Sequence, residues 1–525
     1  MKRPLQILPL YSPALIEHRF KSTKKVTPIG VTFSLSKNLA DGEFLWYNRQ
    51  RNRGCGRVEQ WEKDKRREAS IVDIDQLVPK DHMVRKIEKV MDYGWIYKRV
   101  EPYYCHDNGR HGTDPVVLIK MVLLQHLFGI PSLRQTHREI EVNVAYRWFL
   151  GYGLLDKIPH FATVSYAFCK RFPSELSAEI FEYILNKALN NRMIDPSVIF
   201  IDGTHIKASA NKKKRQKEQV AKTAMIYAEQ LLEEVNADRE AHGKNPFEDA
   251  DNDGDGTVSK TVSTTDPDCG VFRKGEHKTE FAYEAHTVCE KHGFVLDVEV
   301  TAGNVHDSIP FDPLYDRVTE KYDVKVIAAD SAYKTPWITK KIVDDGKIPS
   351  MPYTRASNIK PGFYRPWEYK YDIVTDSYIC PAGRTLRHTT TDRDGKRMYL
   401  SNRKECRECP NRVCCNSNAN CQKTIARHIW AEYIEIADAI RKTDLGKETY
   451  SMRSQTIERV FADAKEKHAM RYTHHRGLPQ VMQWVRLKFA AMNLKKLANW
   501  VWNNPSISRF FTGFLPIYNK NESFA

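Results

Sequence analysis

The chain has 525 residues, too many for one ordinary domain, and its length predicts about three. Hydrophobic residues make up 41% and charged residues 28% of it, which excludes a disordered or fibrous protein. The net charge is +16, so the expected partner is a polyanion, most often nucleic acid. A basic membrane-surface protein would share this charge. However, Lys120, Gln125 and His126 interrupt the most apolar stretch, so we expect no membrane span.

The first part of the chain divides into an irregular segment and a helical one. Residues 1–70 show no sustained periodicity and predict a poorly ordered extension. Beyond them, apolar positions recur three and four apart, and Asp81, Asp114-Pro115 and Ser132 supply signals for helix starts. Short helices with Arg and Lys on their outer faces predict an all-α DNA-binding domain over residues 71–190. A purely structural helical bundle is the alternative.

The pattern changes to that of strands near residue 195. The runs VIFIDGTHIKASA, TEFAYEAHTVCEK and GFVLDVEVTAG, then a helix and the run VKVIAADSAYK, predict an α/β sheet with an antiparallel half. We expect this domain to span residues 195–500, with insertions at 212–270 and about 355–430 and a tail at 501–525. The first insertion holds a basic run, a helical stretch from VAKTAM onwards and an acidic run. Because Val262 stands where a calcium loop needs glutamate, we expect no calcium site there.

Three acidic residues occupy positions suited to metal chemistry. Asp202 is expected to end one apolar strand and Asp330 another, while Glu458 lies in the helical pattern YSMRSQTIERVFADAKEKH. Carboxylates at the ends of neighbouring buried strands repel each other unless a cation lies between them. Oxygen ligands favour Mg²⁺ or Mn²⁺, and two such ions suit phosphodiester chemistry. Taken singly, each acid is a weak signal, because an Asp after a strand is more often a turn former or helix cap and a helical Glu is usually solvated.

The segments FIDGTHIKASAN, VIAADSAYKT and YSMRSQTIERVFADAKEKHAMRY resemble the DDE transposases of bacterial insertion sequences, over about residues 71–500. The resemblance implies an RNase H-like mixed sheet after the helical domain, with Asp202, Asp330 and Glu458 holding two Mg²⁺ or Mn²⁺ ions. It implies cleavage at transposon ends and transfer of the 3′-hydroxyl into target DNA. The implied partners are double-stranded DNA, both terminal inverted repeats and target, and further copies of the chain in a homodimer or larger complex. The implied location is the cytoplasm, at the nucleoid.

One branch of this family carries a Tyr-x2-Arg-x3-Glu-x6-Lys signature around the glutamate. This chain has Tyr450, Arg453, Glu458 and Lys465, with the gap from arginine to glutamate one residue longer. Seven residues span about two helical turns, so Lys465 shares a face with the glutamate and is placed to hold a DNA phosphate. The full set of expected DNA-binding residues is Tyr450, Arg453, Lys465, Arg471 and Arg476.

Cysteines cluster in the second insertion. Cys406-x2-Cys409 is a two-ligand knuckle, Cys380 is a third candidate, and Cys415 or Cys414 a fourth, as in a tetrahedral zinc site. Similar segments in this transposase subgroup resemble a zinc-ribbon-like insertion. Buried reduced thiols or a redox pair are the alternatives.

Two other functions stay open from the sequence. An RNase H-like nuclease would hydrolyse DNA without joining it. A catalytically inactive, transposase-derived protein would bind DNA only.

Overall fold

A computed structural model describes residues 71–105, 112–221, 227–247, 257–274, 278–354, 361–415 and 418–504. The predicted extension at residues 1–70 and most of the predicted tail lie outside these ranges. The start of that tail, residues 501–503, is the end of the last helix. The other predicted domain limits stay a prediction. None of the described helices is both long and apolar enough to cross a membrane.

Eight α-helices open the described chain, and two of the three predicted capping signals mark helix starts. Asp114 accepts a hydrogen bond from the Val116 N–H, with Pro115 in the first turn, and Ser132 caps the next helix. The predicted cap Asp81 is wrong, because His82 performs that role through its Nδ1 atom. The helices are α1 Ile74–Leu77, α2 Met83–Val90, α3 Gly94–Val100, α4 Pro115–Leu127, α5 Leu133–Val142, α6 Val144–Leu150, α7 Phe161–Tyr166 and α8 Leu176–Asn190.

A mixed sheet follows and confirms the α/β fold class. Its elements are β1 Val198–Lys207, β2 Arg215–Ala221, α9 Ala228–Ala241, β3 Thr257–Ser263, β4 Gly270–Lys274, β5 Lys278–Glu290, β6 Val295–Ala302, α10 Ser308–Lys321, β7 Val326–Ala329, α11 Pro336–Asp344 and β8 Ile348–Ser350. The central strand order is β6-β5-β1-β7-β8. Strands β6, β5 and β1 pair antiparallel, whereas β7 and β8 continue parallel to β1, as expected for an RNase H-like sheet.

The first insertion contains more strand than its sequence indicates. Strands β2 and β3 form a separate antiparallel pair, and β4 pairs with the first residues of β5. The helical stretch predicted to begin at Val220 begins instead at Ala228, because Val220 and Ala221 pair with β3. Strand pairing has here overridden local helix propensity.

The second insertion forms its own five-stranded antiparallel sheet, in the order β13-β12-β11-β10-β9. Its elements are β9 Lys370–Asp372, β10 Ser377–Ile379, β11 Thr385–Thr391, β12 Lys396–Ser401, α12 Arg403–Arg407, α13 Arg412–Cys415 and β13 Thr424–His428. Four α-helices follow up to the end of the described ranges, namely α14 Ala431–Ile440, α15 Asp444–Met452, α16 Ile457–Glu466 and α17 Leu478–Asn503.

Helix α17 joins the helical region to the sheet. It packs against α2, α4 and α8 on one side and against β6 on the other. The buried amide of Asn493 accepts a hydrogen bond from the Val295 N–H (3.0 Å) and donates one to the Val295 carbonyl (2.8 Å). His468, just before α17, bonds through Nδ1 to the carbonyl of His126 at the end of α4 (2.7 Å). One continuous hydrophobic core therefore extends from α2 through the sheet to α17.

Candidate active site

Asp202 and Asp330 lie side by side on the two central parallel strands. The last paired residues of β1 and β7 are Ile201 and Ala329, so the next residue on each strand is an aspartate. Neighbouring strands are about 4.8 Å apart. Asp330 also accepts a hydrogen bond from the Ala332 N–H (2.8 Å), which holds the turn after β7. The prediction that Asp202 ends a strand is wrong, because pairing with β5 carries β1 on to Lys207.

An arginine already neutralises Asp202. The Arg453 guanidinium forms an ion pair with its carboxylate, and the two side chains are only 8% and 17% exposed. Burial raises the pKa of Asp202 to about 6; Arg453 opposes this rise, and the nearby charge of Asp330 adds to it. Two acids in a desolvated place need positive charge nearby, and Arg453 supplies part of it.

Arg453 belongs to a short 3₁₀ turn, Arg453–Gln455, that connects α15 to α16. Its guanidinium also lies over the ring of Tyr450, 5.8 Å from the ring centroid. Helix α16 packs against β1. Glu458 stands in the first turn of α16 and is exposed, while Lys465 is half-buried two turns further on.

The three acids do not form a closed cation site. Within the described ranges, two sets of three potential ligands have their ligand atoms within 4.8 Å of one another, and neither includes Asp202, Asp330 or Glu458. The donor chemistry nevertheless fits a divalent ion, because Asp202 and Asp330 are adjacent, partly buried carboxylates. Among the described residues, the cationic partner of Asp202 is Arg453.

A second group of polar residues lies on the other face of the same strands and escaped the sequence predictions. The β1–β5 register places Gly203 opposite His286 and His205 opposite Glu284. The Glu284 carboxylate packs against the backbone of Gly203, where a larger residue would not fit, because a Cβ there would lie 2.6 Å from the Glu284 Oε1 atom. The signal was present in TEFAYEAHTVCEK, where Glu284 and His286 alternate with apolar residues and so share one strand face.

Hydrogen bonds and burial define this group further. His286 Nδ1 lies 3.1 Å from the Tyr333 hydroxyl, and Nε2 lies 3.0 Å from Thr301 Oγ1. Burial lowers the pKa of His286 to about 3, with a small contribution from His205. Burial also raises the pKa of Glu284 to about 8, and the charges of Asp307 and Asp202 act in the same direction.

The loop after α16 carries two of the predicted phosphate-binding arginines. Its backbone pairs with the end of β1, since the Lys207 N–H donates to the Arg471 carbonyl (3.1 Å). The Arg471 side chain is 66% exposed and ion-paired with Glu466. Arg476 donates from Nε to the Ser209 carbonyl (3.1 Å) and is held close to the sheet.

The cysteines of the second insertion come together around one small cavity. Its lining includes five of them, Cys380, Cys406, Cys409, Cys415 and Cys421. Cys414 is exposed, so the structure favours Cys415 over Cys414 as the candidate ligand. Among the described residues, no three sulfur atoms lie within 4.8 Å of one another. Cys421 was not predicted, although its position in the same Cys-rich run was visible in the sequence.

Two segments of the chain match models of known protein families. Residues 72–170 match the family model described as "Transposase domain (DUF772)", and residues 379–498 match the one described as "Transposase DDE domain". The second match includes Glu458 and the cysteine cluster, whereas Asp202 and Asp330 lie between the two matches. No curated protein matches the chain.

Among solved structures, this chain is similar to a Mos1 transposase in a paired-end complex with the left transposon end. The sequence identity is 10% and the TM-score 0.15. The match covers 49% of this chain and 65% of that one, so the chain spans less than two thirds of the length of this relative. A similarity this low carries no structural argument.

Proposed function

We propose that the chain is a DDE-type transposase that cuts DNA at transposon ends and joins the freed 3′-hydroxyl to target DNA, as the two matched transposase family models support. Its catalytic carboxylates would be Asp202, Asp330 and Glu458. The observation that supports this assignment is the placement of two aspartates at adjacent positions of parallel strands, with the glutamate-bearing helix packed on the first strand. Enzymes of this type depend on divalent metal ions.

In this proposal the acidic residues of the site bind metal ions and the basic residues bind DNA. Asp202, Asp330 and Glu458 would hold two Mg²⁺ or Mn²⁺ ions, which when bound supply the charge that activates the attacking oxygen and stabilises the leaving one. Arg453 holds the Asp202 carboxylate in an ion pair and opposes its protonation. The buried apolar side of α16 anchors that helix, so Glu458 and Lys465 project from a fixed frame.

The DNA contacts we propose are mostly contacts to phosphate. Lys465, Arg471 and Arg476 would bind backbone phosphates around the carboxylates, with Tyr450 supporting Arg453. The helical region would recognise the terminal inverted repeats, and a homodimer or larger complex would bring two ends together. Such a protein would act in the cytoplasm, at the nucleoid.

Conservative substitutions test the assignment of the three acids. Asp202→Asn, Asp330→Asn and Glu458→Gln should each reduce cleavage of end substrates, and joining of a pre-cut 3′-hydroxyl donor, to background. Binding of the same DNA should be largely retained, because it depends on basic residues. Asp323→Asn, at an exposed acid away from the site, is the matched control and should retain both steps.

Other outcomes would identify the two remaining functions. Cleavage without joining by the unmodified protein would indicate the nuclease. Binding without either step would indicate the inactive DNA-binding protein. Equal loss of DNA binding and cleavage in all three variants would contradict the assigned roles.

We also propose that Cys380, Cys406, Cys409 and Cys415 hold a structural Zn²⁺ ion in the second insertion. The observation that supports this proposal is that all four cysteines line one cavity in this insertion. Metal analysis should find one zinc per chain, lost in Cys409→Ser but kept in Cys105→Ser, which changes an exposed cysteine outside the cluster. A metal-free protein with reduced thiols would contradict the proposal, and a disulfide formed on mild oxidation would indicate redox chemistry instead.

A further inference from the structure

The second group of polar residues has the composition of a metal site of its own. Glu284 and His286 project from the same face of β5, and Asp307 immediately precedes α10, which covers that face. One ligand atom from each residue lies within 4.8 Å of the other two. Bonds of about 2.1 Å to nitrogen and carboxylate oxygen are typical of divalent ions, so small side-chain adjustments would let one ion reach all three.

This group lies on the opposite side of the sheet from the proposed catalytic carboxylates. Successive residues of a strand point to opposite faces, and Gly203, the partner of His286, directly follows Asp202. Arg453 and α16 approach Asp202 on its own face. An ion held by the second group would therefore be distinct from the ions at Asp202.

The charge of the group is unbalanced. The Glu284 and His286 side chains are 7% and 0% exposed, and Asp307 is 24% exposed. In the part of the chain that the structure describes, neither carboxylate forms an ion pair with a lysine or arginine. The ion-pair partner of Glu284 is His205, at 3.3 Å. Buried carboxylates that lack a strong counter-charge are neutralised either by taking up a proton or by binding a cation.

His286 is already oriented as a metal ligand. A ligating histidine typically bonds through its second ring nitrogen to a neighbouring polar group, which sets the ring's direction. Here Nε2 is held by Thr301 Oγ1 at 3.0 Å, and Nδ1 points toward Asp307 Oδ1 at 3.8 Å. The Tyr333 hydroxyl lies 3.1 Å from Nδ1, so an ion would compete with this phenol for the nitrogen.

We propose that Glu284, His286 and Asp307 bind one divalent first-row transition-metal ion, with Mn²⁺ the best-suited probe, in addition to the ions of the proposed catalytic site. One imidazole and two carboxylates suit Mn²⁺ better than Mg²⁺, which takes oxygen ligands almost exclusively. The ion would neutralise the acids beneath β1 and fix α10 against the sheet. The proposal concerns residues other than Asp202, Asp330 and Glu458, so it stands or falls separately from the proposed function.

Pulsed electron paramagnetic resonance of the Mn²⁺-loaded full chain tests this directly. A ¹⁴N modulation from a directly bonded imidazole is expected, and it should persist in the double variant Asp202→Asn/Asp330→Asn. His286→Gln should abolish the modulation, whereas His306→Gln, at an exposed neighbouring histidine, should leave it unchanged. Loss of the modulation in the double variant would mean that the ion belongs to the other face and would overturn the proposal.

Affinity measurements guard against a folding defect in His286→Gln. Glu284→Gln keeps the shape of the side chain and should weaken Mn²⁺ binding by roughly 10-fold or more, and Thr301→Val should weaken it through loss of ring orientation. Circular dichroism and melting curves of both variants should match those of the unmodified protein in EDTA. Unchanged Mn²⁺ affinity in folded Glu284→Gln, or no ¹⁴N modulation in the unmodified protein, would overturn the proposal.

Discussion

Replacing Arg453 with glutamine is expected to destabilise the metal-free protein and to make it respond more strongly to divalent ions. The guanidinium is the cationic partner of Asp202 among the described residues, and Asp330 lies on the adjacent strand. Without Arg453, Asp202 keeps a hydrogen bond from the Gly203 N–H (2.9 Å) and Asp330 keeps one from the Ala332 N–H (2.8 Å), but neither bond brings a positive charge. The mutual repulsion of the two carboxylates then opposes folding.

The size of the effect follows from the burial of the ion pair. Side-chain exposures of 8% for Arg453 and 17% for Asp202 describe a nearly buried pair. Removing one partner of such a pair typically costs about 3 kcal/mol or somewhat more. The entropy of unfolding is about 2.1 cal/mol/K per residue, so in a chain of this length 1 kcal/mol lowers the melting temperature by about 1 °C, and a fall of roughly 3 °C is expected.

Thermal unfolding in EDTA and in Mg²⁺ measures both parts of this prediction. Mg²⁺ should stabilise Arg453→Gln more than the unmodified protein, because the ion takes over the role of the missing guanidinium. The matched control is Arg471→Gln, whose ion pair with Glu466 is 66% and 61% exposed and should contribute less than about 1 kcal/mol. Equal melting temperatures of the two variants in EDTA, or an unchanged Mg²⁺ response, would refute the reasoning.

Three further predictions concern the frame around the site. Burial lowers the pKa of Lys488 to about 7. Between that pH and about pH 10 the unfolded chain binds more protons than the folded one, so the free energy of unfolding rises with pH. Denaturant unfolding should show that the difference in free energy of unfolding between the unmodified protein and Lys488→Met grows by roughly 1 kcal/mol per pH unit in favour of the unmodified protein. Asn493→Leu leaves the N–H and carbonyl of Val295 unpaired and should cost about 2 kcal/mol in the same measurement. A Cβ at Gly446 would lie 2.2 Å from the Ile440 carbonyl oxygen, so Gly446→Ala should cost about 2 kcal/mol and shift the α14–α15 junction; a melting temperature equal to that of the unmodified protein would contradict this contact.

The sequence allowed the central carboxylates to be predicted because their signal is local. An apolar run followed by an acid is visible in FIDGT and in AADSAY, and the strand order then brings Asp202 and Asp330 together. The helix that carries Glu458 was equally predictable from its apolar spacing. The fold class followed from the succession of three strands, a helix and a fourth strand.

The features that the sequence did not reveal depend on contacts between distant segments. The packing of Glu284 over Gly203 follows from the register of β5 on β1, which no local pattern specifies. The choice of Cys415 over Cys414 depends on which side of the short helix α13 faces the cavity. The pairing of Arg453 with Asp202 joins residues 251 positions apart, and its local spacing in the signature gave no reason to expect it.

The packing of α17 has a consequence for the distance along DNA between a bound repeat and the point of cleavage. Because one hydrophobic core includes both the helical region and the sheet, no flexible tether separates them in the described chain. A DNA segment bound by the helices would therefore lie at a fixed distance from the aspartates. Adding or deleting base pairs between a recognised repeat and its cleavage point should therefore move the cut along the DNA, instead of being absorbed by the protein.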